Sequence, residues 1–372
     1  MVRLRAAISK SDLKEFIKFP FTLYKNSPYW VPPLISDELE TFDEEKNPNF
    51  NNAEVKFFLA YRDKNLVGRI AAIINWIEVN EQLIRKMRFG WFDFIDDLEV
   101  SETLLDKVAE IGKKNNLDFM EGPVGFSHLD KVGVLIEGFD SMGTMITWYN
   151  HPYYKNHYDH YGLKKEKQYL EYKIPASSTQ PESFTKIQGL IKKRYGLREM
   201  NFTRSRDILP WADQMFDLFN KTYSKLSSFV PLTAEQKAYF KNKYIGLVNP
   251  EYIKFVVDSE DKLIAFAIVM PSYGPALKKA NGKLFPFGFY HLLNAKKNSK
   301  DVLFYLIGIH PDFQNKGVTA IIMNEYHKVF KAKKIKTFYR TPELEDNIAI
   351  RQMWKHFEPE IYKRRRTYRK DF

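Results

Sequence analysis

The alternation of hydrophobic and polar positions predicts the same succession of elements in both halves of the chain. Residues 56–75 form two β-rich runs around the turn sequence at 63–65, which is typical of a β-hairpin. Residues 252–270 repeat this arrangement around 259–261. Because order and spacing agree, the pattern indicates two copies of one structural unit.

A buried strand and an amphipathic helix follow each hairpin. The strands are predicted over residues 89–94 and 302–309, where apolar side chains dominate. In the first half, Ser101 is suited to cap a helix whose apolar residues recur at helical spacing. The second helix is predicted over 318–331, with its apolar side chains on one face.

The two copies are separated by a polar, proline-flanked segment at 175–181, which is typical of a linker. A chain of 372 residues also exceeds the size at which a single core usually divides, about 250 residues. The pattern therefore predicts an α/β (α+β) protein with two tandem domains, residues 1–175 and 176–372. Each domain is expected to be a mixed, mostly antiparallel twisted sheet flanked by helices.

Composition narrows the possible chemistry. The chain has no cysteine, which excludes disulfides, thiolate zinc sites and cysteine nucleophiles. His151, His157 and His160 lack an accompanying carboxylate ligand pattern, so no metal site is predicted. No run of about 18 apolar residues and no secretory signal occurs, which predicts a cytoplasmic protein without a membrane span.

The net charge of +12 favours an anionic partner. A nucleic acid, an acidic lipid surface or a phosphorylated cofactor would each satisfy it, and charge alone does not choose among them. Much of the excess lies in two clusters, residues 331–336 and 363–370. Clusters of this kind also protect strand edges from aggregation.

The sharpest local signal is the segment 307–323, in which a hydrophobic strand, a polar turn and a helix start follow one another. The first N–H groups of a helix lack backbone partners and carry the positive end of the helix dipole, so they bind phosphate groups. Gly317 would let the backbone approach a phosphate closely, since any side chain there would stand in the way. Lys316 adds positive charge beside it.

Residues 314–319 resemble the loop that holds the coenzyme A pyrophosphate in the GCN5-related N-acetyltransferases, and they follow a His-Pro-x-Phe-Gln sequence as that loop does. The resemblance implies acetyl-coenzyme A, or another acyl-coenzyme A, as the cofactor. The cofactor contacts that it implies are Ile307, Ile309, Gln314, Asn315, Lys316, Gly317, Val318, Thr319 and Asn347. The family has glycine or alanine where this chain has Thr319, whose β-branched side chain crowds the approach but offers a hydroxyl donor to a phosphate oxygen.

A second resemblance to the same family begins at Asn347, which matches the asparagine that contacts the pantetheine arm. The family often has a tyrosine seven residues later as proton donor to the departing thiolate, but this chain has Trp354, whose indole is not a suitable donor. Tyr339, at the end of a predicted strand, is therefore the first candidate donor, ahead of Tyr305 or a water molecule. The candidate bases for the amine are Glu343, Glu345, Asp312 and His310.

The first half of the chain lacks the features of this site. Residues 95–101 follow the corresponding strand without a glycine, and they carry three carboxylates where a pyrophosphate would sit. Like charges at that point would repel the phosphates. The first domain is therefore predicted to be a degenerate copy, and the cofactor is assigned to the second domain.

The resemblance implies an N-acyltransferase, in the first instance an N-acetyltransferase, that moves an acyl group from coenzyme A to a primary amine of a small molecule or peptide. One alternative is a non-catalytic binder of acyl-coenzyme A or another small molecule, which Trp354 and Thr319 favour. Another is a Fem-type transferase that uses aminoacyl-tRNA, which the basic charge favours. Apart from tRNA, no nucleic acid is expected as a partner. The acceptor and the oligomeric state have no recognisable signal in the sequence.

Overall fold

The computed structural model describes most of the chain. The described residues are 1–127, 129–178, 181–226, 229–244, 248–354, 357 and 359–372. Positions 179 and 180 of the predicted linker lie outside them.

The strands are β1 Val2–Ala6, β2 Ala53–Arg62, β3 Asn65–Asn75, β4 Lys86–Phe94, β5 Phe119–Gly122, β6 Val134–Glu137, β7 Lys164–Pro175, β8 Arg198–Asn201, β9 Ile253–Val257, β10 Leu263–Pro271, β11 Asp301–Ile309, β12 Thr337–Leu344 and β13 Glu360–Asp371. The helices are α1 Lys10–Leu23, α2 Ile35–Thr41, α3 Trp76–Asn80, α4 Leu98–Lys114, α5 Tyr154–His160, α6 Pro181–Tyr195, α7 Ala212–Tyr223, α8 Ala234–Tyr244, α9 Gly274–Ala280, α10 Gly288–Asn298, α11 Val318–Lys333 and α12 Ile348–Trp354.

The chain divides into two compact units. The first unit comprises Met1–Leu170, Gly274–His291 and Tyr362–Phe372. The second unit comprises Glu171–Tyr273 and Leu292–Ile361. Two segments from the predicted C-terminal domain therefore belong to the first unit. The domain boundary between residues 175 and 176 stays a prediction.

The first unit is built on a sheet with the strand order β1-β2-β3-β4-β5-β13. Its neighbouring strands are antiparallel except β4 and β5, which are parallel. β2 and β3 form the predicted hairpin, with Arg62 opposite Asn65 and a φ of 55° at Asp63 in the turn. Aspartate tolerates this left-handed conformation better than most residues. Every residue of β4 is buried, so this strand runs through the centre of the core.

The second unit is built on a sheet with the strand order β8-β9-β10-β11-β12, in which only β11 and β12 are parallel. Both faces of β10 are buried. Ala265 and Ala267 join the apolar core that includes α11, while Phe255 of β9 contacts Trp211 next to α7. Successive side chains of a strand point to opposite faces of the sheet. The helices α11 and α7 therefore cover opposite faces of this sheet. The predicted α/β (α+β) class is confirmed.

None of the helices in the described ranges is long and apolar enough to cross a membrane. The same residues contain no group of three His, Asp or Glu side chains that could hold a metal ion. His157, one of the three clustered histidines, is bonded to Ser101 at 2.7 Å and to Asp96 at 2.9 Å.

A buried ion network lies in the first unit. Glu78 Oε1 is 2.8 Å from Lys86 Nζ, and Glu78 Oε2 is 2.7 Å from Arg88 Nε. Glu121 is 3.1 Å from Lys86 Nζ and 3.2 Å from Lys167 Nζ. Such a network is stable only while opposite charges balance, because water does not reach a buried charge to compensate for a lost partner.

Replacing Glu78 by alanine is expected to lower the free energy of unfolding by about 3–5 kcal/mol, since the change leaves Lys86 and Arg88 as buried cations without their shared carboxylate. Urea denaturation followed by circular dichroism measures this change. Glu110→Ala is the matched control, because Glu110 pairs with Lys107 at the surface and exposed pairs contribute less than about 1 kcal/mol. An equally small loss in both variants would contradict the role given to the network.

Candidate active site

An opening forms in the second unit where two parallel strands separate. β11 and β12 are paired only as far as Phe304 opposite Arg340. Beyond that point β11 continues to Ile309 and β12 continues to Leu344 without pairing to each other. The register of β11 with β10 shifts at Tyr305, which is a β-bulge at the start of the separation. Bulges of this kind often occur next to active sites, because they redirect a strand.

The backbone of β11 presents polar groups to this opening. The carbonyl of Ile307 accepts a hydrogen bond from the Tyr223 hydroxyl at 3.2 Å, and the carbonyl of Ile309 accepts one from Gln314 Nε2 at 3.1 Å. The N–H and C=O of one strand residue point to the same edge, so the N–H groups of Ile307 and Ile309 face away from β10. An N–H in this position suits the oxygen of a thioester carbonyl.

The loop after β11 ends at an uncapped helix start. Gly317 precedes α11 with a φ of 79°, a left-handed conformation that glycine adopts without strain. A Cβ at this position would lie 3.1 Å from Ile191 of α6, so space is limited as well. No side chain of the described residues caps α11 at Gly317, and Gln314, Asn315 and Lys316 are exposed beside it. The first turn of α11 is therefore open to an anion.

Asn347 precedes α12 and Trp354 ends it, and both have structural partners. The side-chain oxygen of Asn347 accepts a hydrogen bond from the N–H of Ile350 at 3.2 Å, as a helix cap does. Trp354 is buried, and its ring centroid lies 4.9 Å from that of Phe304. This packing fits the expectation that Trp354 does not replace the tyrosine proton donor of the family.

Glu343 lies on the part of β12 that has separated from β11. Arg340 Nε is 2.7 Å from Glu343 Oε1, and a second bond joins Arg340 Nη2 to the other carboxylate oxygen. The guanidinium lies between two rings, 4.2 Å from the centroid of Tyr172 and 4.6 Å from that of Trp354. Burial raises the pKa of Glu343 to about 7, although the positive charge of Arg340 opposes the rise.

Tyr223 connects Glu343 with the backbone of β11. Its hydroxyl donates to Ile307, and its pKa is raised by burial and further by the negative charge of nearby Glu343. The Tyr223 hydroxyl thus lies on the separated part of β11, and the charge of Glu343 acts on it. Sequence reasoning missed Tyr223, because it lies 84 residues before Ile307 and no local motif marks it.

The other predicted donor and bases lie elsewhere. Tyr339 is in the paired part of β12 opposite Leu303, which is four residues or about 13 Å of strand from Ile307. Burial and then the charge of Asp301, at the far end of β11, raise the pKa of Tyr339. Glu345 is half-buried one residue beyond β12. The roles given to Tyr339 and Glu345 stay predictions.

His310 and Asp312 lie in the loop itself. His310 is buried, and its Nε2 is 2.7 Å from Lys221 Nζ. Burial and the charge of Lys221 lower the pKa of His310. Asp312 is exposed, and its carboxylate lies 3.6 Å from His310 Nδ1. Both contacts order the turn between β11 and α11.

The corresponding region of the first unit is closed. The N–H of Phe94 donates to the Tyr154 hydroxyl at 3.2 Å, the Phe94 carbonyl accepts from Tyr153, and the Tyr154 ring stacks on Phe94 at 4.3 Å. The Asp97 side chain caps α4 by accepting from the N–H of Val100 at 3.4 Å. The strand N–H and the helix start that are open in the second unit are thus both occupied here.

Comparisons with known proteins agree with the architecture. No family model matches the chain. It is 27% identical over 377 aligned residues to protein YghO of Escherichia coli (strain K12), covering 99% of this chain and 95% of that protein. It is 24% identical over 310 residues to the bacterial ceramide synthase of Caulobacter vibrioides (strain NA1000 / CB15N), covering 82% of this chain and 79% of that protein.

Solved structures resemble the whole chain. A tandem GNAT protein from the clavulanic acid biosynthesis pathway superposes with a TM-score of 0.59 at 9% identity, covering 100% of this chain and 98% of that one. A GCN5-related N-acetyltransferase from Sphaerobacter thermophilus superposes with a TM-score of 0.53 at 9% identity, covering 100% and 95%. The predicted resemblance is thus confirmed for the fold: the chain has the tandem fold of the GCN5-related N-acetyltransferases.

Proposed function

We propose that the second unit binds an acyl-coenzyme A and transfers its acyl group to a primary amine. The observation that carries this proposal is the separation of β11 and β12 beyond Phe304. Ile307 lies on the separated part of β11 and Glu343 on the separated part of β12, and β11 leads to the start of α11. The fold shared with the acetyltransferases supports it. The closed region of the first unit supports a single site per chain.

Each group in the opening has a distinct proposed role. Bound acyl-coenzyme A would supply an activated thioester. The Glu343 carboxylate takes a proton from the substrate ammonium group, which frees the nitrogen lone pair to attack the carbonyl carbon. The N–H of Ile307 donates to the carbonyl oxygen as negative charge develops there, and the Tyr223 hydroxyl holds the Ile307 carbonyl of the next peptide group.

The cleavage of the carbon–sulfur bond needs a proton at the departing sulfur. Tyr339 stays the candidate donor from the sequence. Tyr223 is a second candidate, because its hydroxyl already lies in the opening on the Ile307 carbonyl. The first turn of α11, with Gly317 and Thr319, is proposed to hold the pyrophosphate through backbone N–H groups.

A lipid amine is the acceptor class that the relatives favour. One of them is a bacterial ceramide synthase, and a ceramide is the amide of a long-chain amino alcohol with a fatty acid. The same transfer of an acyl group to a primary amine would serve a lipid acceptor in this chain. A small-molecule or peptide amine, with acetyl as the acyl group, is the other candidate.

Release of the coenzyme A thiol tests the activity. The protein contains no cysteine, so a thiol-reactive dye reports only the released cofactor thiol. Acetyl- and palmitoyl-coenzyme A are each offered with a polyamine, a peptide amine and a long-chain amino alcohol. We expect amine-dependent thiol release with one of these pairs and the matching N-acyl product by mass spectrometry. Thiol release at the uncatalysed rate with every pair, despite cofactor binding, would support a non-catalytic binder instead.

A further inference from the structure

An exposed aromatic surface lies in the segment that joins α9 to α10 and in the first turn of α10. Four aromatic side chains occur within six residues: Phe285 is 76% exposed, Phe287 is 70% exposed, Tyr290 is 63% exposed and Phe289 is 44% exposed. We call these four residues the aromatic ridge. A single exposed aromatic side chain is ordinary, but a contiguous exposed apolar patch usually marks a binding surface.

The ridge is displayed by an ordered turn. The Gly282 carbonyl accepts from the N–H of Ile35 at 3.0 Å, and the N–H of Phe289 donates to the Leu284 carbonyl at 2.8 Å. A Cβ at Gly288 would lie 2.0 Å from the Lys283 carbonyl oxygen, so only glycine fits this close approach. The backbone therefore holds the rings outward instead of leaving them in a loose loop.

The ridge continues into the first turn of α10. Phe285 and Phe289 form a ring pair with centroids 5.8 Å apart. Phe289 and Tyr290 are the second and third residues of α10, so the ridge includes the start of this helix.

The sequence around the ridge is rich in lysine. Residues 274–300 contain six lysines and no aspartate or glutamate: Lys278, Lys279, Lys283, Lys296, Lys297 and Lys300. Lys279 and Lys283 are exposed before the ridge, and Lys297 is exposed after it. Apolar rings bordered by lysines match the two layers of a membrane surface, an acyl boundary beneath anionic headgroups.

The geometry points to peripheral binding of this surface to a membrane that contains anionic phospholipids, with the aromatic ridge inserted at the acyl boundary and the lysines on the headgroups. A second copy of the chain fits less well, because a symmetric contact would bring the two lysine sets together. Single-stranded nucleic acid also fits less well, because the segment has no arginine and continues into aliphatic Leu293. This inference is independent of the proposed acyl transfer.

Vesicle flotation with the full-length protein tests the inference. Vesicles of phosphatidylethanolamine and phosphatidylglycerol are compared with vesicles of phosphatidylcholine alone. We expect binding to the anionic vesicles that weakens as salt is raised. The double variant Phe285→Ser/Phe287→Ser is expected to lose about tenfold or more in vesicle partitioning, since it removes the two most exposed rings.

Leu83→Ser is the matched control, because Leu83 is also exposed in the first unit but lies outside the ridge. It should bind vesicles as the wild type does. The double variant should keep the melting temperature of the wild type. It should also release coenzyme A thiol at the wild-type rate with a soluble short-chain substrate pair. Loss of vesicle binding alone therefore tests the ridge separately from the proposed function.

Three outcomes would overturn the inference. The first is full vesicle binding by the double variant. The second is wild-type protein that stays unbound and forms dimers that the double variant does not form, which would assign the ridge to a second copy of the chain. The third is wild-type protein that stays unbound but binds oligothymidine through the ridge, which would assign it to nucleic acid.

Discussion

Replacing Glu343 by glutamine is expected to lower the turnover number of acyl transfer by about 10²- to 10⁴-fold, the range typical of a lost general base. Glutamine has nearly the same shape and can still accept from Arg340, so the affinity for acyl-coenzyme A should not change. It cannot take the proton of the substrate ammonium group. Steady-state thiol release, with cofactor binding measured separately, distinguishes loss of chemistry from loss of binding.

The pH profile adds a second readout for Glu343. Burial raises the pKa of this carboxyl to about 7, and only the ionised form is a base. The kcat/KM of the wild type should therefore fall about tenfold per pH unit below pH 7, and this acidic limb should be absent in Glu343→Gln. Glu345→Gln is the control, because Glu345 is a neighbouring carboxylate outside β12. A wild-type rate and profile in Glu343→Gln would remove Glu343 from the mechanism.

Replacing Thr319 by glutamate is expected to raise the dissociation constant for acetyl-coenzyme A by at least about 100-fold. Thr319 is the second residue of α11, so the new carboxylate would occupy the region proposed for the pyrophosphate. Two unit charges about 4 Å apart repel by about 4 kcal/mol at an effective dielectric constant of about 20. Isothermal titration calorimetry measures the change.

This variant avoids the strain that a substitution at Gly317 would add. A side chain at Gly317 would meet both a φ of 79° and the Ile191 side chain, so poor binding there would be ambiguous. A glutamate in the first turn of a helix is favourable to the helix dipole, so the melting temperature should not fall. Thr319→Gln is the uncharged control and should bind far better than Thr319→Glu. Equal binding by the two variants would contradict a phosphate site at this helix start.

Local signals predicted the elements around the site well. The helix expected over 318–331 is α11, and the turn before it contains Gly317 in a left-handed conformation. The spacing of apolar residues in strands and helices, and the positions of glycines in turns, depend on residues close in sequence. These features can therefore be predicted from a single sequence. The carboxylates of residues 95–101 likewise indicated a different first half. The predicted helix cap was wrong, because Asp97 caps α4 and Ser101 lies inside that helix.

Contacts between distant residues were not predictable in this way. Tyr223 meets Ile307 only because α7 packs on the sheet of the second unit. The end of β12 is another example: Tyr339 was expected at the end of a strand, but β12 continues to Leu344 and places Tyr339 within the strand. Proline usually indicates that a strand has ended, because it cannot donate a backbone hydrogen bond. Pro342 is tolerated within β12 because β12 no longer pairs with β11 at this point.

The buried partners of Glu343 also depend on the folded chain. Arg340 is three residues away in sequence, but its position between Tyr172 and Trp354 depends on residues far apart in the chain. The sequence alone therefore ranked Glu343 as one of several carboxylates. In the folded chain, Glu343 is paired with Arg340, and burial raises its pKa to about 7.

The most direct test of the central claim, a single acyl-coenzyme A site in the second unit, is calorimetric titration of the wild-type protein with acetyl-coenzyme A at low salt. We predict micromolar binding with a stoichiometry of one cofactor per chain, because the second unit is open and the first is closed. No measurable binding at high protein concentration would contradict the site itself. Binding of two cofactors per chain would contradict the closed first unit.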